Sequence, residues 1–227
     1  MEIISLLWDS ILGLINFILH IDVHLNALVD QYGWQTYLII FLIIFWETGV
    51  VICPFLPGDS LLFAAGAISH QEGSPLSPLS LFLTIATAAF LGDTVNYWVG
   101  RYIGPKALSR DGRFLKRKYL DKTKDFFDRY GVSTIILARF VPIVRTFAPF
   151  VAGVGQMVYS RFMFYNLIGG VAWSGIFIMA GYFFGMLPVV RDNFTLVILA
   201  IVFISVLPMA IEYLKAMRKK SKAKSQG

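Results

Sequence analysis

The chain has 227 residues, 57% of them hydrophobic and 15% charged, where soluble domains run at roughly 45–50% and about 25%. That balance excludes an ordinary soluble domain and predicts an all-α integral membrane protein. The net charge of +6 would by itself fit nucleic acid, but residues 1–100 hold no Lys or Arg, and the basic residues gather between Arg101 and Arg129 and between Lys215 and Lys224. Two basic clusters beside apolar segments are cytoplasmic membrane flanks, so no nucleic-acid partner is expected.

Apolar stretches near the roughly 20 residues that a spanning helix needs are predicted at 3–20, 36–69, 79–100, 132–154, 162–187 and 193–214. The first has no basic leader and no Ala-x-Ala site, which argues against a removed signal peptide; whether it spans or lies on the membrane stays open. Residues 1–35 are then an N-terminal helix and an external loop, HIDVHLNALVDQYGWQ, free of Lys and Arg. Stretch 36–69 is too long for one crossing and is interrupted by Pro54, Pro57 and Gly58, so it is predicted to enter and return as a hairpin. Helix 79–100 leads into 101–131, where charges alternate with Phe114, Tyr119, Phe126 and Phe127 in the pattern of an amphipathic cytoplasmic segment. Stretch 132–154 carries Arg139, Arg145, Pro142, Pro149 and Gly153 and is expected to be a second broken hairpin. Helix 162–187 closes the core, taken as residues 36–192, and 193–227 is a C-terminal helix with a basic tail.

Sidedness is worked backward from that tail, which belongs in the cytoplasm. Segment 193–214 then starts outside, 162–187 starts inside, and 132–154 must begin and end inside; by the same logic 36–69 begins and ends outside. The prediction is an inverted repeat of two opposed re-entrant hairpins plus transmembrane helices, an architecture in which transporters place their site near the midplane. The echo of Gly100-x-x-x-Gly104 in Gly181-x-x-x-Gly185, and of Pro54-Phe55 in Pro149-Phe150, agrees with it. The competing reading is a six-helix bundle with proline kinks.

A charge at the centre of a membrane helix costs about 2.5–3.5 kcal/mol on insertion scales, so each one needs a reason. Glu47 follows an unbroken apolar and aromatic run, and Asp59 follows Pro57-Gly58 as a natural helix cap. Arg139 and Arg145 flank Pro142, and a distortion there would let both face one cavity, where paired guanidinium groups suit bidentate capture of phosphate. The bland alternatives are a buried salt bridge for Glu47 and interhelical hydrogen bonds for Asp93 with Asn96. Histidines are limited to His20, His24 and His70, and no Gly-x-Ser-x-Gly elbow, metalloprotease helix or Cys/His pair occurs. Neither enzyme chemistry nor a metal or other cofactor is expected. The lone Cys53 permits no internal disulfide.

The runs FWETGVVICPFLPGDSLLFAAGAI, GDTVNYWVGRYIG, ARFVPIVRTFAPFVAGVGQM and FMFYNLIGGVAW, in that order, resemble the DedA family of bacterial inner-membrane proteins, also called the SNARE-associated or VTT domain family. The resemblance implies two opposed re-entrant hairpins, residence in the bacterial cytoplasmic membrane, and recycling of undecaprenyl phosphate driven by the proton motive force. It also implies an acidic pair at Glu47 and Asp59 and an arginine pair at Arg139 and Arg145. On this basis we expect a transporter or flippase for an anionic lipid, with the arginines binding its phosphate, the acids carrying protons, and Asp93 and Asn96 in support. A phospholipid scramblase, a proton-coupled small-anion transporter and a lipid-binding scaffold are the alternatives, and self-association into a homo-oligomer is left open.

Overall fold

The computed structural model describes residues 20–49, 58–109, 135–136 and 139–205, together with 13, 16 and 207. Among these every regular element is helical. Pro54 and Pro57, the N-terminal segment and most of the basic loop and tail lie outside the described residues. Among the described residues three stretches are long and apolar enough to cross a membrane: Ile21–Gly49, Pro78–Ile103 and Tyr159–Phe184.

Residues 20–35, expected as a connecting loop, are largely helical. Helix α1 (Ile21–Tyr32) buries Ile21, Leu25 and Val29, an i, i+4, i+8 stripe that outweighs its polar residues. Gly33, at φ +54°, stops it, and the short 3₁₀ turn Gly33–Gln35 leads into α2 (Thr36–Gly49). The Thr36 hydroxyl donates to the Leu28 carbonyl across 3.3 Å; eight residues of straight helix would separate the two by about 12 Å. The chain therefore bends sharply at Gly33, and α1 and α2 are not one straight rod.

Helix α3 (Gly58–Ser69) is buried at every position, so it is a central element surrounded by protein. Its Ala64-Ala65-Gly66-Ala67 run gives it a thin waist, as helices packed in lipid require. Helix α4 (Pro78–Ser109) continues past Gly100, where the sequence reading ended it. Helix α5 (Pro142–Val154) starts with Pro142 in its first turn and runs on through Pro149. Pro142 is thus a helix start and not a kink between the two arginines, because a missing N–H is harmless there. Gly153 lies in the last turn, just ahead of Gly155 and the positive-φ residue Gln156. Then come α6 (Tyr159–Phe184), the short α7 (Pro188–Asp192) and α8 (Phe194–Ser205).

Two close crossings hold these helices together, and both rely on glycine. Where α3 meets α6, a Cβ on Gly66 would lie 2.3 Å from the Ile178 carbonyl oxygen, and one on Gly181 would lie 2.0 Å from that of Phe63. Where α5 meets α4, a Cβ on Gly153 would lie 2.0 Å from the Tyr97 oxygen, and one on Gly100 would lie 2.2 Å from that of Phe150. The residue spacing is the same in both: Phe63 to Gly66 against Ile178 to Gly181, and Phe150 to Gly153 against Tyr97 to Gly100. Each short helix thus packs on the long helix of the other half of the chain. Helices α2 and α4 meet closely as well, at Gly49 and Gly92.

Candidate functional site

Five ionisable side chains from four segments converge in the interior. Glu47 sits in the last turn of α2, Asp59 in the first turn of α3, Asp93 midway along α4, Arg139 in the turn before α5, and Arg145 in the first turns of α5. None is more than 7% exposed. Arg145 is the hub: its guanidinium donates to Asp59 Oδ1 at 2.9 Å and pairs with Glu47 Oε1. Asp59 also accepts the Trp173 indole N–H at 2.8 Å and the Ser205 hydroxyl at 2.7 Å. The Trp173 ring lies under the same guanidinium, 4.8 Å from its carbon to the ring centroid, a cation–π contact that replaces some of the hydration Arg145 gives up. A Cβ on Gly58 would lie 2.6 Å from Glu47 Oε2 and 3.2 Å from Arg145 Nη2, so the absence of a side chain there makes room for the pair.

Arg139 forms a separate group. Its Nη2 pairs with Asp93 and donates to the Asn166 side-chain oxygen, while Asn166 donates onward to the Phe90 carbonyl at 3.3 Å. The Arg139 stem lies on the bare backbone of Gly169-Gly170 in α6, with Cδ 3.1 Å from where a Gly169 Cβ would stand. Between the two groups sits Asn96, fully buried, donating to the Thr48 carbonyl at 3.1 Å and the Thr146 carbonyl at 2.7 Å. Its two acceptors are the neighbours of Glu47 and Arg145, so it fixes the backbones that carry that ion pair.

The structure therefore brings together Glu47, Asp59, Arg145 and Gly58, and sets Arg139 with Asp93. The sequence reading had the two arginines facing one cavity; among the described residues Arg145 is engaged by Glu47 and Asp59, and Arg139 by Asp93 and Asn166. Asp93, expected to make interhelical hydrogen bonds with Asn96, is the ion-pair partner of Arg139, and Asn96 ties α4 to α2 and to α5. Trp173, Asn166 and Ser205 were not foreseen. Asn166 carried a usable signal, a polar amide within a long apolar run; a Ser or Trp in such a run carries none. Several atoms of the cluster have no partner among the described residues: Glu47 Oε2, Asp93 Oδ1, Asn96 Oδ1, Arg139 Nε and Nη1, and Arg145 Nε. Buried groups of this kind are costly, and here donors and acceptors with spare capacity occur within one cluster.

Residues 56–183 match the VTT domain. The chain is also 52% identical over 216 residues to "Protein DedA" of Escherichia coli K12, covering 95% of this chain and 99% of that one. It belongs to the DedA family. It is 45% identical over 185 residues to "Uncharacterized membrane protein MT0380" of Mycobacterium tuberculosis CDC 1551, 81% of each chain, and 32% identical over 211 residues to "Inner membrane protein YghB" of Escherichia coli K12, 92% of this chain and 89% of that one. No solved structure matches. With its apolar helices, this DedA-family chain is a multi-pass membrane protein. Asp59, Asp93, Arg139, Arg145, Asn166 and Trp173 lie within the matched VTT span, whereas Glu47 and Ser205 lie on either side of it.

Proposed function

We propose that the protein is a transporter that carries a lipid phosphate, undecaprenyl phosphate, across the bacterial cytoplasmic membrane and couples that movement to protons. The observation that carries the reading is the buried cluster's charge count among the described residues: two guanidinium groups against three carboxylates. One further positive charge completes it, and a proton is the smallest. A phosphate arriving at Arg145 or Arg139 competes with the carboxylates for the same planar fork. A displaced carboxylate left in the interior is stabilised by taking a proton, since an isolated buried charge is disfavoured. Phosphate binding and proton uptake are thereby linked, and release on the other side reverses both. Glu47 and Asp59 are the proton carriers in this scheme, with Asp93 serving Arg139.

The matched glycine crossings support an inverted-repeat core, since equivalent positions of two opposed halves pack in the same way. In the orientation we propose, the turn at Gln71 faces outside, while Gln156 and the basic tail face the cytoplasm. Single cysteines at Gln71 and Gln156 in a Cys53→Ala background test it; labelling of Gln156 from outside overturns it. We read the chain as a carrier and not an enzyme, which agrees with the placement of His20, His24 and His70 on the exposed surface, away from the cluster.

The deciding experiment is purified protein in liposomes with labelled undecaprenyl phosphate in one leaflet. Movement that speeds up under an imposed pH gradient is the expected result. Gradient-independent movement of many phospholipids would favour a scramblase, movement of free phosphate alone a small-anion transporter, and release of inorganic phosphate an enzyme.

A further inference from the structure

A second polar site lies away from the buried cluster, at the end of the molecule formed by the start of α1, the turn after α3 and the corner between α6 and α8. A cavity of about 190 Å³ opens there, lined by Asp22, Asn26, Gln71 and Arg191 and edged by Met186 and Phe194. At about 30 Å³ per water molecule, it has room for roughly six, or for a small charged headgroup.

Its chemistry is specific. Asp22, half-buried in the first turn of α1, brings a carboxylate, and Arg191, exposed in the last turn of α7, brings the cavity's single guanidinium. They line one cavity but do not form an ion pair with each other, and among the described residues neither side chain has another partner. Because both line the same cavity, a ligand with opposite charges at its two ends can meet both. The Asn26 amide is held by the Asp22 backbone carbonyl at 3.0 Å, which leaves its side-chain oxygen as an acceptor beside the carboxylate. One lobe thus attracts a cation that donates hydrogen bonds, and the other attracts an anion that can receive a planar fork. The site also lies where α6 leaves its apolar run at Phe184, the depth at which lipid headgroups meet a spanning helix.

We propose that this cavity binds a zwitterion carrying an ammonium and a phosphate, the phosphoethanolamine chemistry of a common phospholipid headgroup, with the ammonium on Asp22 and Asn26 and the phosphate on Arg191. Met186 and Phe194 on the rim face the glycerol and upper acyl segments when the zwitterion belongs to a lipid. The site is independent of the buried arginines, so it stands or falls separately from the transport reading.

The test is ligand-dependent thermal stability of the full chain in a mild detergent, titrated with short-chain phosphatidylethanolamine, short-chain phosphatidylglycerol and free phosphoethanolamine. Phosphatidylethanolamine should stabilise most, because phosphatidylglycerol offers the phosphate without the ammonium. Asp22→Asn keeps the backbone carbonyl that holds Asn26, and should weaken binding of the ethanolamine lipid by roughly tenfold while leaving the glycerol lipid unchanged. Arg191→Gln should weaken both. The exchanged pair Asp22→Lys with Arg191→Asp should restore the preference for ethanolamine, a gain that a folding defect cannot mimic. Binding of free phosphoethanolamine as tight as that of the lipid would make the natural ligand a soluble zwitterion, and much weaker binding makes it a lipid. Equal stabilisation by the two lipids in the parent protein, or unchanged binding in both single variants, would overturn the proposal.

Discussion

The two buried arginines hold comparable charges in very different settings. Arg145 is built into helix α5, meets two carboxylates, and lies on Trp173, and its partner Asp59 is further held by Trp173 and Ser205. Arg139 sits in a turn ahead of α5, meets one carboxylate and one amide, rests on two glycines, and keeps Nε and Nη1 without a partner among the described residues. The cluster thus has a densely held half around Arg145 and a sparsely held half around Arg139. A guanidinium clamped by helix, ring and two acids has more partners to give up than one on a turn that meets a single acid and an amide. In the transport reading, Arg139 makes first contact with phosphate and Arg145 holds the end of α2 and the start of α3 against α5 until the carboxylates are displaced.

The strongest way to break the comparison is to remove the hub. Arg145→Gln strands two buried carboxylates, and losing one partner of a buried pair costs about 3–5 kcal/mol; we expect the largest fall in melting temperature of any variant at the site, read by thermal unfolding in detergent, together with loss of transport. Arg139→Gln strands only Asp93, so its melting temperature should fall less while transport is lost equally. A drop as large as that of Arg145→Gln would show that the two halves are mechanically alike.

Next in size is Gly58→Ala. The added methyl meets Glu47 Oε2 at 2.6 Å, and overpacking of this kind costs about 1–3 kcal/mol. It should loosen the Arg145 half and spare the Arg139 half, visible as a lower melting temperature that Glu47→Ala in the same chain partly relieves.

Changes that keep size or charge separate the roles further. Arg139→Lys and Arg145→Lys should both insert and both lose most transport, because a lysine cannot supply the planar fork; near-normal transport by both would remove the phosphate clamp. Glu47→Gln keeps size and most hydrogen bonding but cannot ionise. It should remain folded and bind lipid phosphate, yet lose the acceleration that an imposed pH gradient gives. A stable Glu47→Gln protein that retains that acceleration would assign proton coupling to Asp59 or Asp93.

Effects comparable with that of Gly58→Ala should come from the donors around Asp59. Trp173→Phe and Ser205→Ala each remove one hydrogen bond to an ionised group, worth about 1.5–3 kcal/mol, and Trp173→Phe also weakens the ring contact with Arg145. Each should lower the melting temperature modestly, with the tryptophan change the larger. No effect of Ser205→Ala would mean that α8 does not support the Arg145 half.

The sequence by itself determined the membrane class, the helical fold and which charges are out of place, because the cost of an ionised side chain in an apolar run depends only on the run around it. Glu47, Asp59, Arg139 and Arg145 were legible on that ground, and Asp93 and Asn96 were legible as polar residues without their roles. Local pattern misled where two readings share one composition: the i, i+4, i+8 stripe of Ile21, Leu25 and Val29 made a helix of an apparent loop, and Pro142 started a helix it seemed to break. The pairing of these charges is set by long-range packing. Arg145 finds Glu47 98 residues away and Asp59 86 residues away, and Ser205 reaches Asp59 across 146. Those meetings depend on which helices can approach, and that is set by glycines at the crossings of α3 with α6 and of α5 with α4. A missing side chain permits a close approach at a given crossing only once the partner helix is in place, and no linear pattern records that placement.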